Sequence, residues 1–290
     1  MSNQNNPQRD ASTPRSHHLA RDHVRIALVG ARGRMGTRID ALARDHPRAR
    51  VTLRIVSAPH APSLDREFTT ATDALASLER DRAASSDLAH RPLDAIIDFS
   101  AKNGVFEAIR LADALSCALL VGTTGLDDTI VQSLRALSSR VPVLVCSNTS
   151  LGVAAVAHAA GALARALGPS YRASIVETHH AMKKDAPSGT ALRLASALRA
   201  AGSNLRDEEI FSIRAGDIVG EHTIRLTGDG ETIELTHRAT TRDLFAHGAL
   251  RLAVWLAAQP PGWYRVEDSI IPQAPPSSPL GPTPLPHSSL

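Results

Sequence analysis

The stretch Val24-Arg25-Ile26-Ala27-Leu28-Val29-Gly30-Ala31-Arg32-Gly33-Arg34-Met35-Gly36 decides the fold. A short run, apolar except for Arg25, ends on G-x-x-G-x-x-G, and a segment of helical period follows it. Glycines at such a junction permit a tight turn and close backbone approach. The helix N-terminus beyond offers amide N–H groups and the positive end of a dipole to a pyrophosphate. A strand before and a helix after are the context that a dinucleotide fingerprint requires, which sets this run above an accidental turn. A P-loop is excluded, because its spacing from Gly30 puts Met35 where the second glycine belongs and Gly36 where the lysine belongs.

Outward from this stretch, further strands are expected at 51–57, 93–98, 118–121 and 141–145, alternating with helices at 34–45, 102–115 and 127–138. That order is the mark of an α/β chain with a Rossmann-like, doubly wound parallel sheet. From 59 to 92 only one helix candidate, 72–82, stands out. After 148 the pattern changes to a helix at 150–167, a strand at 172–177, a His/Lys segment, and a helix at 190–201. Three β-like runs follow at 209–214, 221–227 and 231–237, the last two joined by Gly228-Asp229-Gly230, and a helix at 243–258 closes the pattern. The expected division is a dinucleotide-binding domain at 23–147 and 243–270, with a second, α+β domain at 148–242. Polar residues 1–22 and Pro-rich residues 271–290 read as disordered tails.

Composition narrows the function classes. With 290 residues the chain has room for about two domains. Its 32 Lys+Arg against 29 Asp+Glu leave a formal charge of +3, too even a balance for nucleic acid as a principal partner. Aromatic residues make up only 3%, so the core must rest on Ala, Leu, Val and Ile, which suits buried parallel strands. Cys117 and Cys146 lie apart in apolar runs and read as reduced core residues, so neither a disulfide framework nor a thiolate metal centre is assigned. No apolar run reaches the roughly 20 residues that cross a bilayer, so the expectation is a cytoplasmic protein without a membrane partner.

Two segments carry chemistry. NAD-selective sites place an acid about 20 residues beyond the glycine loop, and this chain has Ser57-Ala58-Pro59-His60 there. With Arg32 and Arg34 in the loop, NADPH is favoured over NADH; the competing reading is that both arginines are merely solvated. The second segment is Glu177-Thr178-His179-His180-Ala181-Met182-Lys183-Lys184-Asp185-Ala186-Pro187-Ser188-Gly189-Thr190. Histidine donates or accepts a proton near neutral pH, and a lysine pairs with an anionic substrate. The amides around Ser188, Gly189 and Thr190 open the next helix and form a receptor for a carboxylate. Two other readings stay open: His179, His180 and Asp185 as metal ligands, or an ordinary hydrated loop.

Six motifs in order then resemble one family. They are Val-Gly-Ala-x-Gly-Arg-Met-Gly at 29–36, Ile-Asp-Phe-Ser at 97–100, Gly-Thr-Thr-Gly at 122–125, the block at 177–192, Arg-Ala-Gly-Asp-Ile-Val-Gly-Glu-His at 214–222 and Thr-Arg-x-x-Phe-Ala-x-Gly-Ala at 241–249. Together they are similar to the 4-hydroxy-tetrahydrodipicolinate (dihydrodipicolinate) reductases of bacterial and plant lysine biosynthesis. The resemblance implies NAD(P)H-dependent reduction of a cyclic dicarboxylate made from pyruvate and aspartate semialdehyde. It implies His179 as proton donor, Lys183 as second catalytic group, His180 in the substrate pocket, and Ser188, Gly189 and Thr190 as the carboxylate turn. In the nucleotide half it implies Gly30, Gly33, Arg34, Met35 and Gly36 around the pyrophosphate, Phe99 and Ser100 near the ribose, and Gly122, Thr123 and Thr124 beside the nicotinamide. Ser147 and Asn148 of the hinge join that set, and the second sheet is implied to build a homotetramer. The chain departs from the pattern in having Ala58 where an acid is common and Thr149 where the hinge has an aromatic ring. Two alternatives to the reductase reading are an amino-acid dehydrogenase of similar architecture and a catalytically idle NADPH-binding regulator.

Overall fold

A computed structural model describes residues 23–57, 62–84 and 92–271. In chain order the elements begin β1 (Val24–Val29), α1 (Arg34–Ala43), β2 (Ala49–Ile55), β3 (Glu67–Phe68), α2 (Ala71–Ala84), β4 (Ala95–Asp98), α3 (Lys102–Leu115) and β5 (Ala118–Val121). They continue with α4 (Asp128–Leu137), β6 (Pro142–Val145), α5 (Leu151–Leu167), β7 (Arg172–His179), α6 (Gly189–Ala200) and β8 (Ile210–Arg214). The chain closes with β9 (Gly220–Gly228), β10 (Glu231–Ala239), α7 (Asp243–Leu256), β11 (Gly262–Tyr264) and a 3-10 turn, Val266–Ser269. These fall into two compact units, one reaching to Ser150 and taking in Thr241–Tyr264, the other formed by Leu151–Thr240 and the residues from Arg265.

The first unit is a seven-stranded parallel sheet in the order β11-β6-β5-β4-β1-β2-β3. β4 and β5 are buried at every residue, and Ile26, Leu28, Ile96, Ile97, Leu119 and Leu120 are fully enclosed. Strands covered on both faces need such continuous Val/Ile/Leu runs, which is why these segments lack the alternation of a half-exposed sheet. The order turns about β1, whose neighbours are β2 on one side and β4 on the other, and that switch opens a crevice beyond the carboxyl ends of the strands. α7 packs on α1 and on β5. At the hinge departure, α7 comes close to the chain: a Cβ on Gly248 would stand 1.9 Å from the Thr149 carbonyl oxygen. Thr149 is buried there, and its hydroxyl donates to the Phe245 carbonyl at 2.6 Å, a bond that an aromatic ring would not make.

The second unit has a four-stranded sheet in the order β10-β9-β7-β8. β7 runs parallel to β8 and antiparallel to β9, which is antiparallel to β10. α5 and α6 supply the other half of its core, where Val153, Ala157, Leu194 and Leu198 meet Ile175, Ile224 and Leu226. Burial alternates strictly along β7, so Ala173, Ile175, Glu177 and His179 form one inward row. The apolar part of that row is core, and its last two members bring chemistry to the strand end.

The α/β reading and the second α+β unit agree with this architecture, and the expected helix at 72–82 is α2. Some boundaries move. β2 starts at Ala49 rather than 51, α1 ends at Ala43, and β7 extends to His179. β3 and β11, two and three residues long, are too short to show a period. The expected extension of the nucleotide half to 270 stops at Tyr264, since Glu267 pairs with Arg193 at 2.5 Å and the 3-10 turn packs on α5. The expected tails at 1–22 and 271–290, Ile271 excepted, lie outside the described residues, as do Ala58, Pro59 and His60. Among the described residues no helix is long and apolar enough to cross a membrane.

Candidate active site

In the first unit the glycine loop is fixed by backbone. Gly30 has φ +80°, and a Cβ there would lie 2.4 Å from the Phe99 carbonyl oxygen. A Cβ on Gly36 would lie 2.1 Å from the Gly30 oxygen, so α1 starts hard against the loop. Gly33 caps α1 with extended backbone and no side chain, its amide donating to the Gly30 oxygen at 2.9 Å. Arg34 is exposed and Met35 half-buried at the first turn, which carries no acid. This cradle, closed to any Cβ and open to an anion, fits a dinucleotide pyrophosphate.

Phe99 and Ser100 follow β4, and Gly122, Thr123 and Thr124 follow β5. A Cβ on Gly122 would come within 2.4 Å of the Phe99 ring, so the two turns interlock. Asp98 ties them further. Its carboxylate accepts from the Thr123 hydroxyl at 2.6 Å and from the Ser100 hydroxyl, and the Ser100 amide donates to Thr123 Oγ1 at 2.9 Å. Burial pushes the Asp98 carboxyl up to about 6, against the pull of the two hydroxyls. Ser147 is exposed after β6, and Asn148 Oδ1 accepts from the Ser150 amide at 2.8 Å.

Arg32 is partly exposed rather than merely solvated, and its guanidinium fork is occupied. Its Nε and Nη2 donate to the two oxygens of Glu67 at 2.8 and 2.9 Å. The Glu67 carboxylate, fully buried, also accepts from the amides of Ser63 at 2.7 Å and Leu64 at 3.1 Å. The Arg32 hydrogen bonds hold its carboxyl down at about 2 despite burial. A depressed carboxyl adds stability above its ordinary value of 4.5 and loses it as pH falls toward about 2. Glu67→Gln is therefore expected to cost about 2 kcal/mol at pH near 7 and somewhat less than half of that near pH 3, discounted for the partly exposed arginine. Urea unfolding of both proteins at each pH checks this.

In the second unit, Glu177 and His179 share a face of β7, and Glu177 Oε2 bonds to His179 Nδ1. Glu177 Oε1 accepts from Arg214 Nη2 at 2.8 Å and from the Ser188 amide at 3.3 Å. Burial raises the Glu177 carboxyl, but Arg214, Ser212 and His179 outweigh it and bring it to about 2. Burial lowers the His179 imidazole below its ordinary range, partly countered by Glu177. His180 is half-buried at the strand end. Lys183 Nζ meets both Asp185 oxygens, at 2.8 and 2.9 Å. Ser188 caps α6, its hydroxyl accepting from the Ala191 amide at 3.2 Å. Gly189 and Thr190 thus form a helix first turn without an acid, an anion-receiving end.

Several partners escaped the sequence reading. Ser188 Oγ sits 3.1 Å from His222 Nε2, and the His222 and His179 rings meet edge to face at 5.1 Å. Burial first, then His179, pushes His222 down to about 4. Of these, Glu177 was legible as the residue two before His179 on an alternating strand. Arg214, His222 and Glu67 reach the sites through strand pairing, whereas Asp98 adjoins Phe99 and Ser100 in the chain. Glu177, His179 and His222 also offer ligand atoms within 4.8 Å of one another. Both Glu177 oxygens are already engaged by Arg214, Ser188 and His179, and the cations Arg214 and Lys183 stand beside the set, which argues for a hydrogen-bond network over a cation site. The competing metal reading of His179, His180 and Asp185 does not assemble among the described residues, where Asp185 is held by Lys183.

Both halves of the chain match profiles built from known sequences. The profile for the N-terminal part of dihydrodipicolinate reductase matches 24–149, and that for its C-terminal part matches 152–270. A 4-hydroxy-tetrahydrodipicolinate reductase of Stenotrophomonas maltophilia is 41% identical over 245 residues, 84% of this chain and 97% of its own length. That of Myxococcus xanthus is 37% identical over 269 residues, again 84% of this chain and 97% of its own. Among solved structures, a dipicolinate-bound dihydrodipicolinate reductase from Paenisporosarcina sp. TG-14 shares the fold, with a TM-score of 0.70 at 19% identity over 85% of this chain and 99% of that one.

Proposed function

The chain belongs to the dihydrodipicolinate reductase family, and we propose how its own residues divide the work of that family's reaction. It is a nicotinamide-dependent oxidoreductase that reduces 4-hydroxy-tetrahydrodipicolinate to tetrahydrodipicolinate, a step of diaminopimelate and lysine biosynthesis. Gly30, Gly33, Arg34, Met35 and Gly36 hold the pyrophosphate; Phe99, Ser100, Gly122, Thr123, Thr124, Ser147 and Asn148 line the ribose and nicotinamide end. The reduced nicotinamide supplies the hydride. Ser188, Gly189 and Thr190 receive a substrate carboxylate on the helix first turn, with His180 beside it, and Lys183 exchanges Asp185 for that anion. His179 delivers the proton that balances the hydride once the ring hydroxyl has left as water.

The observation that carries this division is Glu177, one carboxylate that holds both the His179 ring and the Ser188 amide. Proton donor and carboxylate turn are thereby fixed to a common point. The test is nicotinamide oxidation with substrate formed in situ from pyruvate and aspartate semialdehyde. Oxidation that depends on substrate supports the reading, while tight cofactor binding without oxidation supports an idle regulator.

NADPH is the proposed preference over NADH. Arg32 is committed to Glu67, so Arg34 is the loop cation left to meet a 2′-phosphate. Arg34→Ala is expected to raise the KM for NADPH about tenfold and that for NADH little, as loss of a charge-assisted phosphate contact requires. Equal effects on both cofactors would assign Arg34 to the pyrophosphate alone. The proposed assembly is a cytoplasmic homotetramer built through the second sheet, where Phe211 and Ile213 of β8 are about half exposed. Light scattering decides it.

A further inference from the structure

If His179 is the proton donor, as proposed above, its two ring nitrogens cannot share that role equally. Glu177 is fully buried and ionised at neutral pH, with Arg214 Nη2 on Oε1 and the His179 ring on Oε2. An ionised carboxylate only accepts hydrogen bonds, so Nδ1 of His179 must carry the proton between them. In the neutral ring Nε2 is then bare. Opposite Nε2 lies Gly220, the first residue of β9. A Cβ on Gly220 would stand 2.9 Å from Nε2 and 3.2 Å from Cδ2 of the ring. Its φ lies outside the left-handed region, so the backbone does not demand glycine here; the space does.

We infer that Glu177, clamped by Arg214, is a positioning residue that fixes His179 as its Nδ1–H tautomer and assigns Nε2 as the atom that takes up and delivers the proton, and that Gly220 keeps the space at Nε2 open. The step balances. The imidazolium gives its Nε2 proton to the substrate as the hydride electron pair arrives, and the ring returns to the neutral Nδ1–H form. Water then resupplies Nε2.

The groups facing His179 set the sign of its pH response. Arg214 on β8, His222 on β9 with His237 of β10 behind it, and Lys183 after β7 are cationic or become so, and all disfavour an imidazolium. Asp185 is neutralised by Lys183, which leaves Glu177 as the anion that favours it. Removing that charge must lower the pH at which His179 gives up its proton.

The experiment compares Glu177→Gln, Glu177→Asp, Gly220→Ala, His179→Ala and the double variant His179→Ala/Glu177→Gln, each shown to be folded by circular dichroism and by NADPH titration. Glu177→Gln is expected to lower kcat about 100-fold, within the range of general acid catalysis, with KM for NADPH unchanged. Its pH limb should move to lower pH, and ¹⁵N spectra should show the Nδ1–H form of His179 giving way to a mixture. Glu177→Asp should restore part of the rate and of the limb. The double variant should be no slower than His179→Ala, and Gly220→Ala should lose turnover with the Nδ1–H signature kept. An unchanged limb and tautomer in Glu177→Gln would overturn the assignment, as would a full rate in Gly220→Ala. A full rate in His179→Ala would instead remove the proton-donor reading beneath it.

Discussion

His179→Ala is expected to turn over at least 100-fold more slowly than the parent protein, and up to about 10⁴-fold, with NADPH affinity unchanged. The range follows from the loss of a positioned general acid. The unchanged affinity follows from architecture, because His179 ends β7 in one unit while the glycine loop stands in the other. Burial lowers the His179 imidazole, so in the free protein the ring is largely neutral at pH near 7. A dicarboxylate docked on the Ser188–Thr190 turn brings negative charge toward it and favours the imidazolium, so substrate binding itself loads the donor. Alanine leaves Glu177 and Arg214 paired, which keeps the buried charge compensated. Lys183→Ala is expected to act differently. It removes a cation that disfavours the imidazolium but also the anion partner, so KM for substrate should rise along with a loss in kcat. Steady-state rates with substrate formed in situ, beside NADPH titrations, separate the two.

Gly36→Ala is expected to abolish cofactor binding, raising the NADPH dissociation constant by more than about 100-fold. The methyl would fall 2.1 Å from the Gly30 carbonyl oxygen and within 2.9 Å of Ala31 backbone atoms. No rotamer relieves a clash with backbone, so α1 must move off the loop or the loop must open, and each ruins the alignment of amides on the pyrophosphate. Gly161→Ala in α5 is the control, since its methyl meets nothing nearer than 3.6 Å and replaces glycine inside a helix. Fluorescence titration of both variants, with thermal melts to weigh folding against binding, gives the comparison.

The sequence was most legible where period and length agree. The alternation of apolar runs with Ala/Leu helices yields the doubly wound sheet, and the glycine spacing places the cofactor loop at its switch point. β3 and β11 were hidden because two or three residues carry no period. Missing β3 also hid Glu67, and with it the fate of Arg32, since the pair is 35 residues apart in sequence and joined only by strand pairing. In the substrate half the His-His-Lys to Ser-Gly-Thr block was recognisable as a unit. What the block could not show was the service role of Glu177, the clamp from Arg214 on a neighbouring strand, or the space that Gly220 leaves at the ring. Those depend on the register of β7 with β8 and β9, which pairs His179 with Arg214 and Glu177 with His222. The hinge residue Thr149 likewise finds its side-chain partner far along the chain, at the Phe245 carbonyl.

The most direct measurement is the single-turnover rate of nicotinamide oxidation as a function of pH, in the parent protein and in His179→Ala. With His179 as the acid, the parent rate falls as pH rises through the imidazole's titration, and the variant is slow and flat over the same range. A parent profile without that limb, or the same limb surviving in His179→Ala, would contradict the assignment of proton delivery to His179.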